Sequence, residues 1–155
     1  MSSLTYKEHC RGMEEWYFEK MKLLDRRIME FDCCHMSNTK WRKLFSAIAQ
    51  NADVCRDCEI FVFDLEKESR MRWTNIMRLD RAAEHHKYLF EDYICEGLAG
   101  GHDPVVYREI HYIEFRKRYG KRAEQDLQQI KKVIAALGQF HREESALCLR
   151  IFGYS

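Results

Sequence analysis

Polar and apolar residues follow two rhythms along this chain, and the change from one to the other outlines a fold. From Met13 onward, Met13, Trp16, Tyr17, Met21, Leu24, Ile28 and Phe31 recur at intervals of three, four or sums of these, with Glu14, Glu15, Glu19, Lys22 and Arg26 between them. That period is helical. It predicts an amphipathic helix from about Thr5 to Glu30, unbroken from Met13 on, whose Trp16, Tyr17, Met21, Leu24 and Ile28 are mostly buried, either in this domain or across a homodimer. Asn38 or Thr39 is placed to cap a second helix, in which Trp41, Leu44, Phe45, Ile48 and Ala49 repeat the pattern as far as Asn51. The rhythm then shortens. Ile60 to Leu65 is an apolar run rich in β formers, and after the polar Glu66 to Ser69 the residues Met71, Trp73, Asn75 and Met77 alternate with Arg72, Thr74 and Ile76. Two strands of a hairpin are expected.

Asp80 stands where an N-cap belongs, and Ala82, His86, Leu89, Phe90, Tyr93 and Ile94 mark a third helix ending by Gly97. Gly97 to Pro104 is the clearest loop by composition. Val105 to Phe115 then alternates as a strand, with Val105, Tyr107, Ile113 and Phe115 on one face and Val106, Ile110 and Tyr112 on the other. Apolar groups on both faces place it centrally. Ala123, Leu127, Ile130, Ile134 and Leu137 form a fourth helical stripe closed by Gly138, and Ala146 to Phe152 reads as a last strand. Without strict βαβ repetition, this order predicts an α+β domain. It comprises a small, mostly antiparallel sheet of about four strands covered by helices, behind an N-terminal amphipathic helix.

Composition narrows the function more than the fold. The 155 residues suit one domain. Lys and Arg number 26 against 25 Asp and Glu, so the molecule exerts no general pull on polyanions and an electrostatic partner must read a local patch. No apolar run approaches the ~18 residues of a membrane span, and the first residues lack a signal-peptide core. A cytoplasmic protein with no membrane contact is expected. The seven cysteines are odd in number and two of them, Cys33 and Cys34, are adjacent, which fits reduced thiols better than a disulfide framework. Cys55 and Cys58 have the spacing of half a zinc knuckle, but the adjacent pair upstream does not repeat it. We therefore expect no metal, no cofactor and no Cys55 to Cys58 disulfide.

Four separated motifs, Asn38-Thr-Lys-Trp41, Tyr107-Arg-Glu-Ile110 followed by Ile113, Leu137-Gly-Gln-Phe140 and Arg150-Ile-Phe-Gly-Tyr154, occur in order. Together they resemble a family of small, immunity-protein-like bacterial proteins. The resemblance spans residues 36–155 and implies one α+β domain there, with residues 1–35 as an N-terminal helical extension. The family has no assigned activity, so it transfers no catalytic residue.

Chemistry has few places to reside. Tyr107, Glu109 and His111 fall on one side of the predicted strand and Arg108 on the other, and a Glu and His near His102 and Asp103 are the parts of an acid-base pair. No activated nucleophile accompanies them, and the Gly97 to Gly101 loop lacks the setting of a phosphate cradle. A non-enzymatic protein is expected. One dense basic run stands out: Arg116, Lys117, Arg118, Lys121 and Arg122, with Arg108 upstream and Tyr112, Phe115 and Tyr119 interleaved. Basic residues beside aromatics suit single-stranded nucleic acid or an acidic protein, and the near-zero net charge weighs against the former. The reading is a protein-binding module, an immunity or antitoxin protein that neutralises a bacterial toxin. Its surface centres on the Gly97 to Pro104 loop, with His102, Asp103, Tyr107, Arg108, Arg116, Arg118 and Arg122 as binding residues. The alternative is a nucleic-acid-binding regulator that uses Arg108 to Arg122.

Overall fold

Capping residues and glycines explain where the helices of this chain begin and end. A computed structural model describes residues 5–63, 65, 89–94 and 104–155, with 73–78 as backbone alone. In place of one long N-terminal helix there are two, α1 (Tyr6–His9) and α2 (Glu14–Ile28). Gly12 between them has a φ of 91°, a conformation glycine adopts without steric cost and a helix cannot contain. Thr5 caps α1 by accepting a bond from the Glu8 amide. Within this chain the burial expected of α2 is met in part: Leu24 is enclosed, Tyr17, Met21 and Ile28 are half-buried, and Trp16 is 51% exposed. In α3 (Asn38–Gln50) the cap is Ser37, whose Oγ accepts from the Lys40 amide at 3.1 Å. That hydroxyl reaches the third amide of the helix from one residue earlier than expected. In α4 (Leu127–Ala135) Asp126 caps the amides of Gln128 and Gln129, so Ala123 lies outside the helix. Gly138 beyond it has a φ of 140°.

Strands supply the rest. β1 (Asp57–Val62) and β2 (Trp73–Arg78) form the expected hairpin, in register from Asp57 opposite Arg78 to Val62 opposite Trp73. The expected third helix is corrected over its last residues: Leu89 bridges to Ile94, and β3 (Tyr93–Ile94) pairs with β4 (Val105–Val106). Extended backbone suits these aromatic and β-branched residues, and the Asp92 carboxylate there accepts from the Tyr6 amide at 2.7 Å. The helix residues before Leu89 and the Gly97 to Asp103 part of the loop lie outside the described residues. The expected continuous strand from Val105 is broken by a 3-10 turn at Tyr107–Glu109 before β5 (Ile110–Arg116). The turn rotates the chain so that Tyr107 and Ile110 both enter the main core, while Val106 joins a second cluster. The chain closes with β6 (Arg142–Glu144) and β7 (Cys148–Phe152).

Among the described residues the main sheet is antiparallel and has five strands in the order β2-β1-β5-β7-β6. The architecture is α+β. Trp41, Leu44, Phe45 and Ile48 of α3 and Ile130 and Ile134 of α4 cover one face, packed on Cys58, Ile60, Ile113, Phe115, Leu149 and Ile151. Strand alternation then puts Glu59, Phe61, Tyr112, Glu114, Arg116, Arg150 and Phe152 on the opposite face. Residues before Met36 are tied to the same body: Leu24 packs with Phe63 and Tyr154, and the Asp32 and Cys33 amides donate to the Ser155 carbonyl. No helix among the described residues is long and apolar enough to cross a membrane.

Candidate functional site

The residues grouped by sequence as one binding surface divide between the two ends of β5. Arg108 precedes the strand and Arg116 ends it, roughly 20 Å away at ~3.3 Å per residue. His102 and Asp103 lie outside the described residues. Tyr107, expected at the rim of the site, is a core residue with 0% exposure, and its hydroxyl donates to the Phe90 carbonyl at 3.2 Å. The 3-10 turn explains this correction, since it swings the ring under Phe45. Arg108 is half-exposed and bonds Asp25 of α2 at 2.6 Å. Glu109 is buried and paired with Lys20 at 3.0 Å, while His111 packs beside Phe31 and Phe63. The proposed acid-base pair is thus occupied in holding α2 and the segment after it onto the sheet.

At the other end of β5 the basic run meets acids placed to receive it. Arg122 bonds Asp57 at 2.9 Å, and Arg118 Nε donates to the Arg122 carbonyl. Arg116 Nε donates to one oxygen of Glu114 at 2.8 Å, and Arg150 Nε to the other at 2.7 Å. Burial alone would raise the pKa of the Glu114 carboxyl, but the bonds from Arg150 and Arg116 outweigh it and hold the group below its ordinary value. Gln125 completes the frame: its Oε1 accepts from the Arg56 and Asp57 amides, and its Nε2 donates to the Asp57 and Arg116 carbonyls, all at 2.9 Å. Arg150 was absent from the sequence-derived set. Its signal lay in the alternation of Cys148 to Phe152, where it is a charged residue between Leu149 and Ile151 on a strand of otherwise uncharged residues.

Reactive groups elsewhere are subdued. Cys55 and Cys58 are buried, and burial pushes the Cys55 thiol up to about 12 and the Cys58 thiol higher still. Both stay protonated near neutral pH, the wrong state for a nucleophile. Cys33 and Cys34 are exposed, and Cys34 Sγ donates to the Met36 carbonyl. A hollow of about 430 Å³ beside the start of α4 is lined by Lys117, Glu124, Gln125, Asp126, Leu127, Gln128 and Ala146. Its Asp126 is spent on the helix cap and its Gln125 on the four bonds above.

The N-terminal helices carry a different kind of surface. Tyr6 is buried among Trp16, Tyr17 and Tyr93, with ring centroids 5.6 to 6.1 Å apart. Phe90 stacks on Tyr93 at 4.8 Å. From this cluster Trp16 and Phe18 reach water, with 51% and 55% exposure, accompanied by Met13. Lys20 lies over the Trp16 ring and Lys7 over the Phe18 ring. The stripe reading expected Trp16 to be buried in this domain or across a homodimer and passed over Phe18. Comparisons with protein-family models, curated proteins and solved structures find no match to this chain.

Proposed function

We propose that this chain is a non-enzymatic, cytoplasmic protein-binding module of the immunity or antitoxin kind, which acts by covering the working surface of a bacterial toxin. The observation that supports this reading is the aromatic surface of α1 and α2. Trp16 stands half out of water against Tyr6, and Phe18, about 200° further round the helix, stands half out of water against Tyr17, so each presents a large apolar area already held in place. Aromatic residues of this kind supply most of the energy at protein interfaces, because they bury much area for little entropy lost. The cluster adjoins β3 and β4, the two flanks of the loop that the sequence singled out for binding. The resemblance to immunity-like proteins points the same way.

The test is co-expression with the product of the adjacent gene. Wild-type protein is expected to copurify with that product and suppress its toxicity, whereas Trp16→Ala with Phe18→Ala loses at least tenfold in affinity, about 1.4 kcal/mol or more. Failure to copurify, combined with salt-sensitive retention of RNA, replaces this reading with the nucleic-acid alternative.

A further inference from the structure

We infer that Arg116 and Arg150, splinted by the buried carboxylate of Glu114 on the sheet face opposite α3 and α4, form a receptor for a carboxylate side chain of an acidic protein partner. The inference rests on the protein-binding reading and names the chemistry of the partner at a second contact. Glu114 is 1% exposed, and each of its oxygens accepts one Nε–H, from Arg150 at 2.7 Å and from Arg116 at 2.8 Å. One fixed group thereby sets the position of two guanidinium planes. A tyrosine ring stiffens each: Arg150 lies over Tyr112 at 5.1 Å and Arg116 over Tyr119 at 5.9 Å. Because both arginines are held through Nε, their Nη groups have no hydrogen-bond partner among the described residues. Both side chains reach water, with 52% and 38% exposure for Arg116 and Arg150.

Fixed, unfilled N–H forks are what bidentate recognition of a planar anion requires, and pre-placement removes the entropy that a free arginine loses on binding. The choice of anion follows from the charges around the forks. Glu59 approaches Arg116 Nε at 3.5 Å, so two cations face two carboxylates and the ensemble carries no net field. A nucleic-acid strand gains affinity from net positive charge through release of its counterions, and this ensemble offers none. A single carboxylate needs only directional donors, and those are present.

The experiment uses the full chain labelled with ¹⁵N in its arginines and a blocked tetraglutamate peptide as probe, with an oligouridylate and inorganic phosphate as comparison ligands. The Nε–H resonances of Arg116 and Arg150 are expected to move together and saturably with the peptide. Replacing either by lysine, which keeps the charge and loses the fork, weakens peptide binding by about tenfold, while Arg26→Lys on the exposed side of α2 leaves it unchanged. Glu114→Gln, with folding confirmed by circular dichroism, weakens it as well. Equal binding by the lysine variants, or no movement of the two resonances, overturns the proposal. Tighter binding of the oligouridylate or of phosphate through the same two arginines overturns it too. Loss of peptide binding in variants that still copurify with the toxin through Trp16 supports a carboxylate site separate from the main interface. A toxin partner that binds while wild-type protein ignores the peptide removes this site and leaves the protein-binding reading intact.

Discussion

Single residues in this fold hold positions for which almost nothing else would serve. Gly153, in the Arg150 to Tyr154 motif, donates its amide to the His111 carbonyl and accepts from the His35 amide, both at 2.7 Å. A Cβ at this position would lie 2.6 Å from the Ile110 carbonyl oxygen and 3.2 Å from the Trp41 ring. Backbone cannot yield cheaply to such a contact, so Gly153→Ala is expected to destabilise the protein by about 1–3 kcal/mol, read as a lower urea midpoint at unchanged slope. Gln125 is as constrained by hydrogen bonding as Gly153 is by space. Its amide meets four backbone groups where β1, β5 and the approach to α4 converge. Gln125→Ala leaves those groups short of partners in a buried place and is expected to cost about 3 kcal/mol, again by equilibrium unfolding. A loss under about 0.5 kcal/mol would mean that water replaces the side chain. Neither role was visible in the sequence, because a glycine or glutamine reveals its surroundings only once distant strands are assembled around it.

Elements were readable where an apolar period or an apolar run marked them. The helical stripe of Trp41, Leu44, Phe45 and Ile48 and that of Ile130 and Ile134 match the observed α3 and α4, and β1 and β2 pair as expected, though β1 runs from Asp57 to Val62, three residues earlier than the apolar run from Ile60 to Leu65 predicts. The misreadings share a cause: tertiary contacts outweighed local period. Tyr93 and Ile94 fit a helical stripe but pair with Val105 and Val106. β6 is made of Arg142, Glu143 and Glu144, all exposed, so no apolar signal announced it. In α2 the period was right, and within this chain only part of the stripe is enclosed. Only Leu24 of its stripe reaches the core, since Tyr6 and its neighbours in α1 already occupy the space beside Tyr17. Two substitutions separate these roles. Leu24→Ala is expected to cost about 2–5 kcal/mol of stability, whereas Trp16→Ala costs under about 1 kcal/mol and falls on partner binding instead. Equal losses of stability from the two would return Trp16 to the core and remove the main support for the docking surface. Of the expected binding residues, Arg116, Arg118 and Arg122 were picked out from the basic run; Glu114, two residues before Arg116, shares its face of the strand, whereas the pairing of Arg122 with Asp57 could not be read from spacing, because Asp57 comes from across the sheet.

At the scale of the whole molecule, the sheet is a layer between two unlike environments, and its response to pH follows from what each holds. On the acid side, Glu114 titrates below its ordinary value because Arg150 and Arg116 outweigh its burial. The unfolded chain therefore binds a proton at higher pH than the folded one, and the pair's contribution is complete above about pH 5 and is lost as pH falls through the folded value. Glu114→Gln should flatten that part of the acid limb. On the alkaline side the signs reverse. Burial raises Tyr107 and Tyr119 and pushes Tyr154 and Cys55 up to about 12. Three of these groups also donate hydrogen bonds that ionisation would abolish: Tyr107 to Phe90, Tyr119 to Glu114 and Tyr154 to Arg108, each to the backbone carbonyl. The neutral forms are favoured in the folded state, so stability is fully present below the thiol and phenol values of the unfolded chain, about 9 to 10, and falls as pH climbs toward the folded ones. The three phenols tie the 3-10 turn, the end of β5 and the chain after β7 to their neighbours, so they are expected to ionise when the fold opens as a unit. Phenolate absorbance and circular dichroism should then change in one shared transition above pH 10. Phenolate signals from these tyrosines that complete well before the circular dichroism moves would show that their hydrogen bonds do not help hold the molecule closed.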